Sequence, residues 1–159
     1  MADDQTNWAA FAAKAPNVAA EGRRLLVGAP TADGGDTGHA FLVTVRGADV
    51  PPRIHPVTVG IVDRGLYVFV LDSAKRVDLA EDGRFALHAH QDQAAPDEFS
   101  VRGRARLVPE GALRDRVATG WFFEVDDTYW LFELRLQSAI LGERTADEWP
   151  PRYTRWSAA

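Results

Sequence analysis

From Glu98 to Val108 the chain alternates without a break. Phe99, Val101, Gly103, Ala105 and Leu107 fall on one side of an extended backbone, and Ser100, Arg102, Arg104 and Arg106 on the other. A helix, with 3.6 residues per turn, would scatter these two sets around its whole circumference. One apolar and one cationic face instead call for an antiparallel sheet that packs on one side only.

The same period of two recurs along most of the chain. Strands are expected at Ala40–Arg46, Arg53–Val59, Leu66–Leu71 and Phe85–His90, and again at Tyr129–Ile140, where Trp130, Phe132, Leu134 and Leu136 share the inner face. Turn signals separate them, among them Gly47-Ala48-Asp49 and Asp63-Arg64-Gly65. Leu66–Leu71 is apolar on both faces, so it belongs in the middle of the structure.

Before residue 39 the spacing is helical. Trp8, Phe11 and Ala12 mark a helix capped by Thr6 or Asn7; a second opens at Pro16 and stops at Gly28. Ala29–Gly38 reads as a loop, as does Gln91–Asp97. Short helices are expected at Ser73–Ala80 and from Pro109-Glu110 to about Gly120.

The resulting expectation is a mainly β fold: a six-stranded antiparallel barrel, closed or nearly so, with peripheral helices. Residues 1–159 form one domain, with helices in 5–28, the barrel in 39–140 and an irregular tail in 141–159 that holds Trp149 and Trp156.

Composition narrows the function. A formal charge of −5 argues against general binding to nucleic acid or to an anionic membrane. No uncharged stretch approaches the roughly 20 residues needed to cross a bilayer as a helix. The acidic start, Met1-Ala2-Asp3-Asp4, carries no apolar run, so no secretory signal is expected and the expected location is the cytoplasm. The absence of cysteine excludes disulfides, thiolate catalysis and cysteine-ligated metals. Of the 18 cationic residues, 16 are Arg, which lowers the weight of any Arg-rich patch.

Phosphate-loop, dinucleotide-binding and Gly-x-Ser-x-Gly patterns are all missing. His88 and His90 share one strand face and His55 lies two strands earlier, but solvated or hydrogen-bonded histidines are the better reading. No metal is expected.

The chemistry concentrates in two segments. On an extended strand Arg53, His55 and Val57 point one way, Ile54 and Pro56 the other. Pro56 cannot donate to a ladder, which suggests an edge or an opening. Ser73-Ala74-Lys75-Arg76 stands where a central strand gives way to a helix, so free N–H groups, a hydroxyl and two cations could converge there on an anion, with Arg53 brought close by a hairpin. The plainer alternative makes Ser73 a helix cap, Lys75 and Arg76 solvated cations, and Arg53 half of a surface ion pair.

The ordered set Phe41–Val45, Pro52–Val57, Leu66–Phe69, Ser73–Leu79, Arg84–His88 and Val101–Ala105 resembles the pyridoxamine 5′-phosphate oxidase-related, FMN-binding split-barrel family over residues 38–108. The resemblance implies a split barrel that forms a homodimer, with one FMN in each of two clefts at the subunit interface. It implies that Arg53, Ser73 and Lys75, with Arg76 as a fourth candidate, hold the FMN phosphate. Ile54, His55, Pro56 and Val57 would then line the isoalloxazine ring, and Phe69 and Val70 would lie near the ribityl chain. Arg155 and Trp156 are candidates to close over the flavin of the partner subunit, or simply to pack.

The implied activity is a flavin-dependent oxidoreductase acting on a small molecule. Relatives of this shape also bind deazaflavin or heme, so a carrier without turnover is the alternative. The tail, Pro151-Arg152-Tyr153-Thr154-Arg155-Trp156, lacks the Arg-Leu-x-Pro type of segment that engages substrate in true pyridoxamine phosphate oxidases. Oxidation of pyridoxine phosphate is therefore not expected. Five Trp and eight Phe in 159 residues also favour a partner surface, because large exposed apolar areas tend to be covered.

Overall fold

In the computed structural model, which describes residues 5–28, 36–144 and 147–159, two helices precede the sheet. Helix α1 (Trp8–Lys14) is capped by Asn7, whose Oδ1 accepts from the Ala10 N–H at 2.8 Å; Thr6 instead pairs with Leu136. Helix α2 (Pro16–Val27) opens on its proline and ends at Gly28, whose φ of +74° is left-handed. Most of the loop expected next, residues 29–35, lies outside the described residues, and Gly38 already belongs to the first strand.

The strands are β1 (Thr37–Thr44), β2 (Arg53–Val62), β3 (Gly65–Val70), β4 (Arg84–Ala89), β5 (Glu98–Val108), β6 (Trp130–Glu143) and β7 (Arg152–Ser157). Helix α3 (Ala74–Glu81) joins β3 to β4, and α4 (Ala112–Thr119) joins β5 to β6. The sheet order is β3-β2-β1-β4-β5-β6, all antiparallel, and β6 pairs back onto β3, closing six strands into a barrel. The expected architecture is the one observed.

The tail departs from expectation. It was expected to pack irregularly, yet Arg152–Ser157 forms β7 on β6. The reason lies in unequal strand lengths. β3 has 6 residues and β6 has 14, so β3 covers only Trp130–Glu133 of one β6 edge. The remaining N–H and C=O groups of that edge need partners. Thr6 meets Leu136, and β7 takes Ser138–Glu143.

A bulge adjusts β6 along its other edge. Arg102 pairs with Ser138 but Gly103 with Leu136, leaving Gln137 as the extra residue. Before it Phe132, Leu134 and Leu136 face inward; after it Ala139 and Leu141 do. Gly103 is required there, because a Cβ would sit 1.8 Å from the Arg135 carbonyl oxygen.

The barrel interior holds Leu42, Val59, Val68, Phe99 and Leu134, with Trp8 and Phe11 of α1 packed into the same cluster. A second cluster, including Tyr67, Phe69, Val117, Trp121 and Leu131, covers the outer side of β3. All six β3 residues are buried for that reason, as the two apolar faces of Leu66–Val70 foretold, whereas Leu71, expected in the same strand, lies just past its end and is exposed. Trp130 and Leu107, expected inside, are 41% and 47% exposed. They pair with Val70 and Phe132 but stand at the rim, where Arg76 of α3 lies over Trp130 with its guanidinium 4.4 Å from the indole centroid.

Candidate functional site

Strand β2 carries its side chains with the expected parity. Arg53, His55 and Val57 are half-buried, while Ile54 and Pro56 are exposed, Ile54 to 67%. β2 pairs with β1 so that Arg53 opposes Thr44 and His55 opposes Leu42. Helix α3 packs over this region, and its Asp78 is 1% exposed.

Asp78 organises the charges. It accepts a hydrogen bond from the Thr44 hydroxyl at 2.7 Å and from Arg46 Nε at 2.8 Å. Arg53 Nε lies 3.2 Å from Asp78 Oδ2 in an ion pair without hydrogen-bond geometry. Burial alone would raise the Asp78 carboxyl. The hydrogen bonds from Thr44 and Arg46, with the charges of Arg46 and Arg53, outweigh it and hold the group below the usual carboxylate value. His55 Nε2 is 3.5 Å from Thr44 Oγ1. Burial, then the nearby Lys75 charge, lowers its pKa against the pull of Asp78, with Arg53 lowering it further.

At the start of α3, Ser73 Oγ accepts from the Arg76 N–H at 3.3 Å and donates to the Leu71 carbonyl at 2.9 Å. Ser73 is therefore the helix cap. The other N–H groups of the first turn have no partner within the helix. Lys75 has no hydrogen bond or ion pair among the described residues, and burial lowers its pKa.

Lys75 also lines a cleft of about 190 Å³. The strip Pro56, Val57 and Thr58 forms part of the wall, and Phe69, Trp121 and Tyr129 another part. Phe69 and Trp121 meet edge to face at 4.9 Å, and Trp121 Nε1 is buried without a hydrogen-bond partner. The wall strip is shared with a second hollow of about 200 Å³, where His39 and His90 complete the lining. His90 stacks on Phe41, with ring centroids 4.4 Å apart.

The structure thus gathers Arg53, His55, Ser73 and Lys75 around the start of α3, with Pro56, Val57 and Phe69 in the adjoining cleft. The other candidates lie differently. Arg76 spends its charge internally, on Asp72 at 2.8 Å, the Thr128 carbonyl at 3.3 Å and the Trp130 ring. Val70 packs in the barrel interior. Trp156 pairs opposite Ala139 and packs on Phe11, with centroids 4.7 Å apart.

Sequence reasoning passed over Asp78, Thr44 and Trp121. Two signals were available. Thr44 shares inward parity with Ala40 and Leu42, and Asp78 stands beside Leu79 on the buried side of α3. A polar residue at a core position calls for a partner. Here the two partner each other.

No family model matches the chain, and no curated protein matches it either. Solved structures do. A candidate pyridoxamine 5′-phosphate oxidase from Listeria innocua is similar with a TM-score of 0.54 at 16% identity, over 65% of this chain and 86% of that one. General stress protein 26 from Bacillus anthracis str. Sterne gives 0.57 at 17%, over 86% and 97% of the two chains. A heme binding protein from Mycobacterium smegmatis gives 0.58 at 20%, over 87% and 58%. The chain has the split-barrel fold. That split-barrel fold is the one implied by the ordered segments between residues 38 and 108, and among the described residues no helix of it is long and apolar enough to cross a membrane.

Proposed function

We propose that this split-barrel protein, acting as one domain over residues 1–159, binds FMN and works as a flavin-dependent oxidoreductase on a small molecule in the cytoplasm. Lys75 carries the reading. It is a partly dehydrated ammonium with no anionic partner among the described residues, beside a helix start and in the wall of an aromatic cleft. A dehydrated cation is costly to leave unpaired, and a phosphate dianion would offset that cost.

The donor set suits that group. Lys75, Arg53 and the free first-turn N–H groups of α3 would hold the phosphate, joined by Ser73 if its hydroxyl turns its proton away from the Leu71 carbonyl, with Arg76 adding field rather than contact because its own partners occupy it. Ile54, His55, Pro56 and Val57 would line the ring system, with Phe69 and the backbone of Val70 bordering the chain between ring and phosphate. Bound flavin supplies the redox chemistry; the protein supplies grip, orientation and shelter from water. His55, its pKa lowered, would stand neutral at physiological pH and offer a hydrogen bond rather than a charge.

The exposed apolar side chains Ile54 and Phe41 support a homodimer in which the second subunit covers the cofactor; Trp156, packed on Phe11 of its own chain, would join that closure only through the part of its ring left exposed. A visible spectrum before and after incubation with FMN, followed by removal of free flavin, tests the reading. A retained two-band flavin spectrum is the expected result, and a colourless protein overturns it.

A carrier of flavin, deazaflavin or heme without turnover is the second reading. His39 and His90 favour it, since they line a hollow beside Pro56–Thr58, and so does the likeness to a heme binding protein. Stopped-flow mixing of loaded protein with NADPH or NADH separates the two. Flavin bleaching supports the oxidoreductase, and tight flavin binding without bleaching by either favours the carrier.

A further inference from the structure

Arg53 is held at one end and open at the other. Its Nε is buried 3.2 Å from Asp78 Oδ2, the side chain is 39% exposed, and its two Nη groups have no partner among the described residues. Asp78 is itself immobilised by Thr44 and Arg46, inside the protein at 1% exposure. A guanidinium is a rigid plane, so holding Nε close to an immobile carboxylate by charge narrows the region its two Nη groups can occupy. A free Arg side chain loses rotamer freedom when it grips an oxyanion; one already held by a buried carboxylate loses less.

We propose that Asp78 is a positioning residue, which grips Arg53 through Nε and presents its two Nη groups as a preformed fork for a phosphate monoester. This rests on the reading that the cleft takes a phosphorylated flavin, and it adds why Arg53 is competent there. Asp78 touches no ligand; it acts through Arg53. Arg46 meets the same carboxylate at its other oxygen and also lies 4.0 Å from Glu81, so these two carboxylates match Arg46 and Arg53 in charge, and what the cluster offers an anion is the open end of Arg53 beside Lys75.

The test compares FMN with riboflavin, which has the same ring and chain but no phosphate. Dissociation constants are measured by flavin fluorescence for the unmodified protein, Asp78→Asn, Arg53→Ala and the double variant. The expected result is that Asp78→Asn weakens FMN about tenfold and leaves riboflavin within about twofold. In the Arg53→Ala background, Asp78→Asn should cause no further loss, because the residue through which it acts is gone. Equal weakening of both flavins, unchanged FMN affinity, or additive losses in the double variant would each overturn the proposal. If the unmodified protein does not prefer FMN over riboflavin, the phosphate reading itself falls, and this inference with it. Should Asp78→Asn fail to fold, Thr44→Val removes one donor from the same carboxylate. It should weaken FMN about threefold without moving riboflavin, and no selective loss there also overturns the proposal.

Discussion

The Thr44 hydroxyl donates to Asp78 Oδ2 across 2.7 Å, tying the end of β1 to the middle of α3 where both residues are at most 1% exposed. Neither side chain could stand at its position alone. Thr44 occupies the inward parity of a strand and Asp78 the buried side of a helix. Replacing Thr44 by Val keeps the shape but removes a hydrogen bond to a charged group, which costs about 1.5–3 kcal/mol. Urea denaturation of Thr44→Val should show that loss with an unchanged slope.

Asp78 also gives stability a direction in pH. Its pKa is lowered in the folded protein, so its contribution is fully present above the unfolded value of about 3.9 and is lost as pH falls through the folded value. The urea midpoint of the unmodified protein should therefore drop as pH falls below about 4, and Asp78→Asn should show a shallower drop. A parallel decline in the two proteins would count against a stabilised Asp78 carboxylate.

Arg53→Ala combined with Lys75→Ala removes the two cations of the proposed phosphate grip. FMN should wash out of this variant by gel filtration while far-UV circular dichroism stays unchanged, since Lys75 holds no internal partner among the described residues and Asp78, on losing Arg53, keeps its hydrogen bonds from Thr44 and Arg46. FMN retained by the double variant would sink the assignment of these residues.

Because burial lowers the Lys75 pKa, the ammonium loses its proton at a lower pH than an ordinary lysine. FMN affinity should then begin to fall at a lower pH than an ordinary lysine, near 10.4, would allow. Lys75→Arg, which keeps its charge throughout, should flatten that profile. Equilibrium titrations at a series of pH values read the difference directly.

Gly60 carries Trp121 against its backbone, and a Cβ there would come within 2.5 Å of the indole. Gly60→Ala should push Trp121 out of the cleft wall, destabilise the protein by about 1–3 kcal/mol and shift tryptophan emission. The same displacement should weaken binding of riboflavin as much as FMN, because it acts on the aromatic wall and not on the phosphate end.

The strands were legible because the barrel has one wet and one dry face, so a period of two is written into the residues themselves. Phe99 and Val101, buried, and Arg102 and Arg104, exposed, follow that rule in the structure. The helix signals held for the same local reason. Asn7 offers its side chain to an unfilled N–H and Gly28 accepts a left-handed φ, and neither depends on what lies elsewhere in the chain.

What the sequence alone determined was the class of fold, the parity of each side chain on β2, and a set of cations gathered near the start of α3. These follow from rules that act over a few residues. Tertiary structure decided how those cations are spent. Arg76 was taken up by the exposed Asp72 and the face of Trp130, Arg53 was caught by a carboxylate 25 positions later in the chain, and Lys75 was left without a partner among the described residues. It also turned the tail into β7, because the unpaired edge that β7 fills arises only when β3 proves shorter than β6. Ion pairs and strand edges join residues distant in sequence, and no local pattern of residue types records which partner arrives.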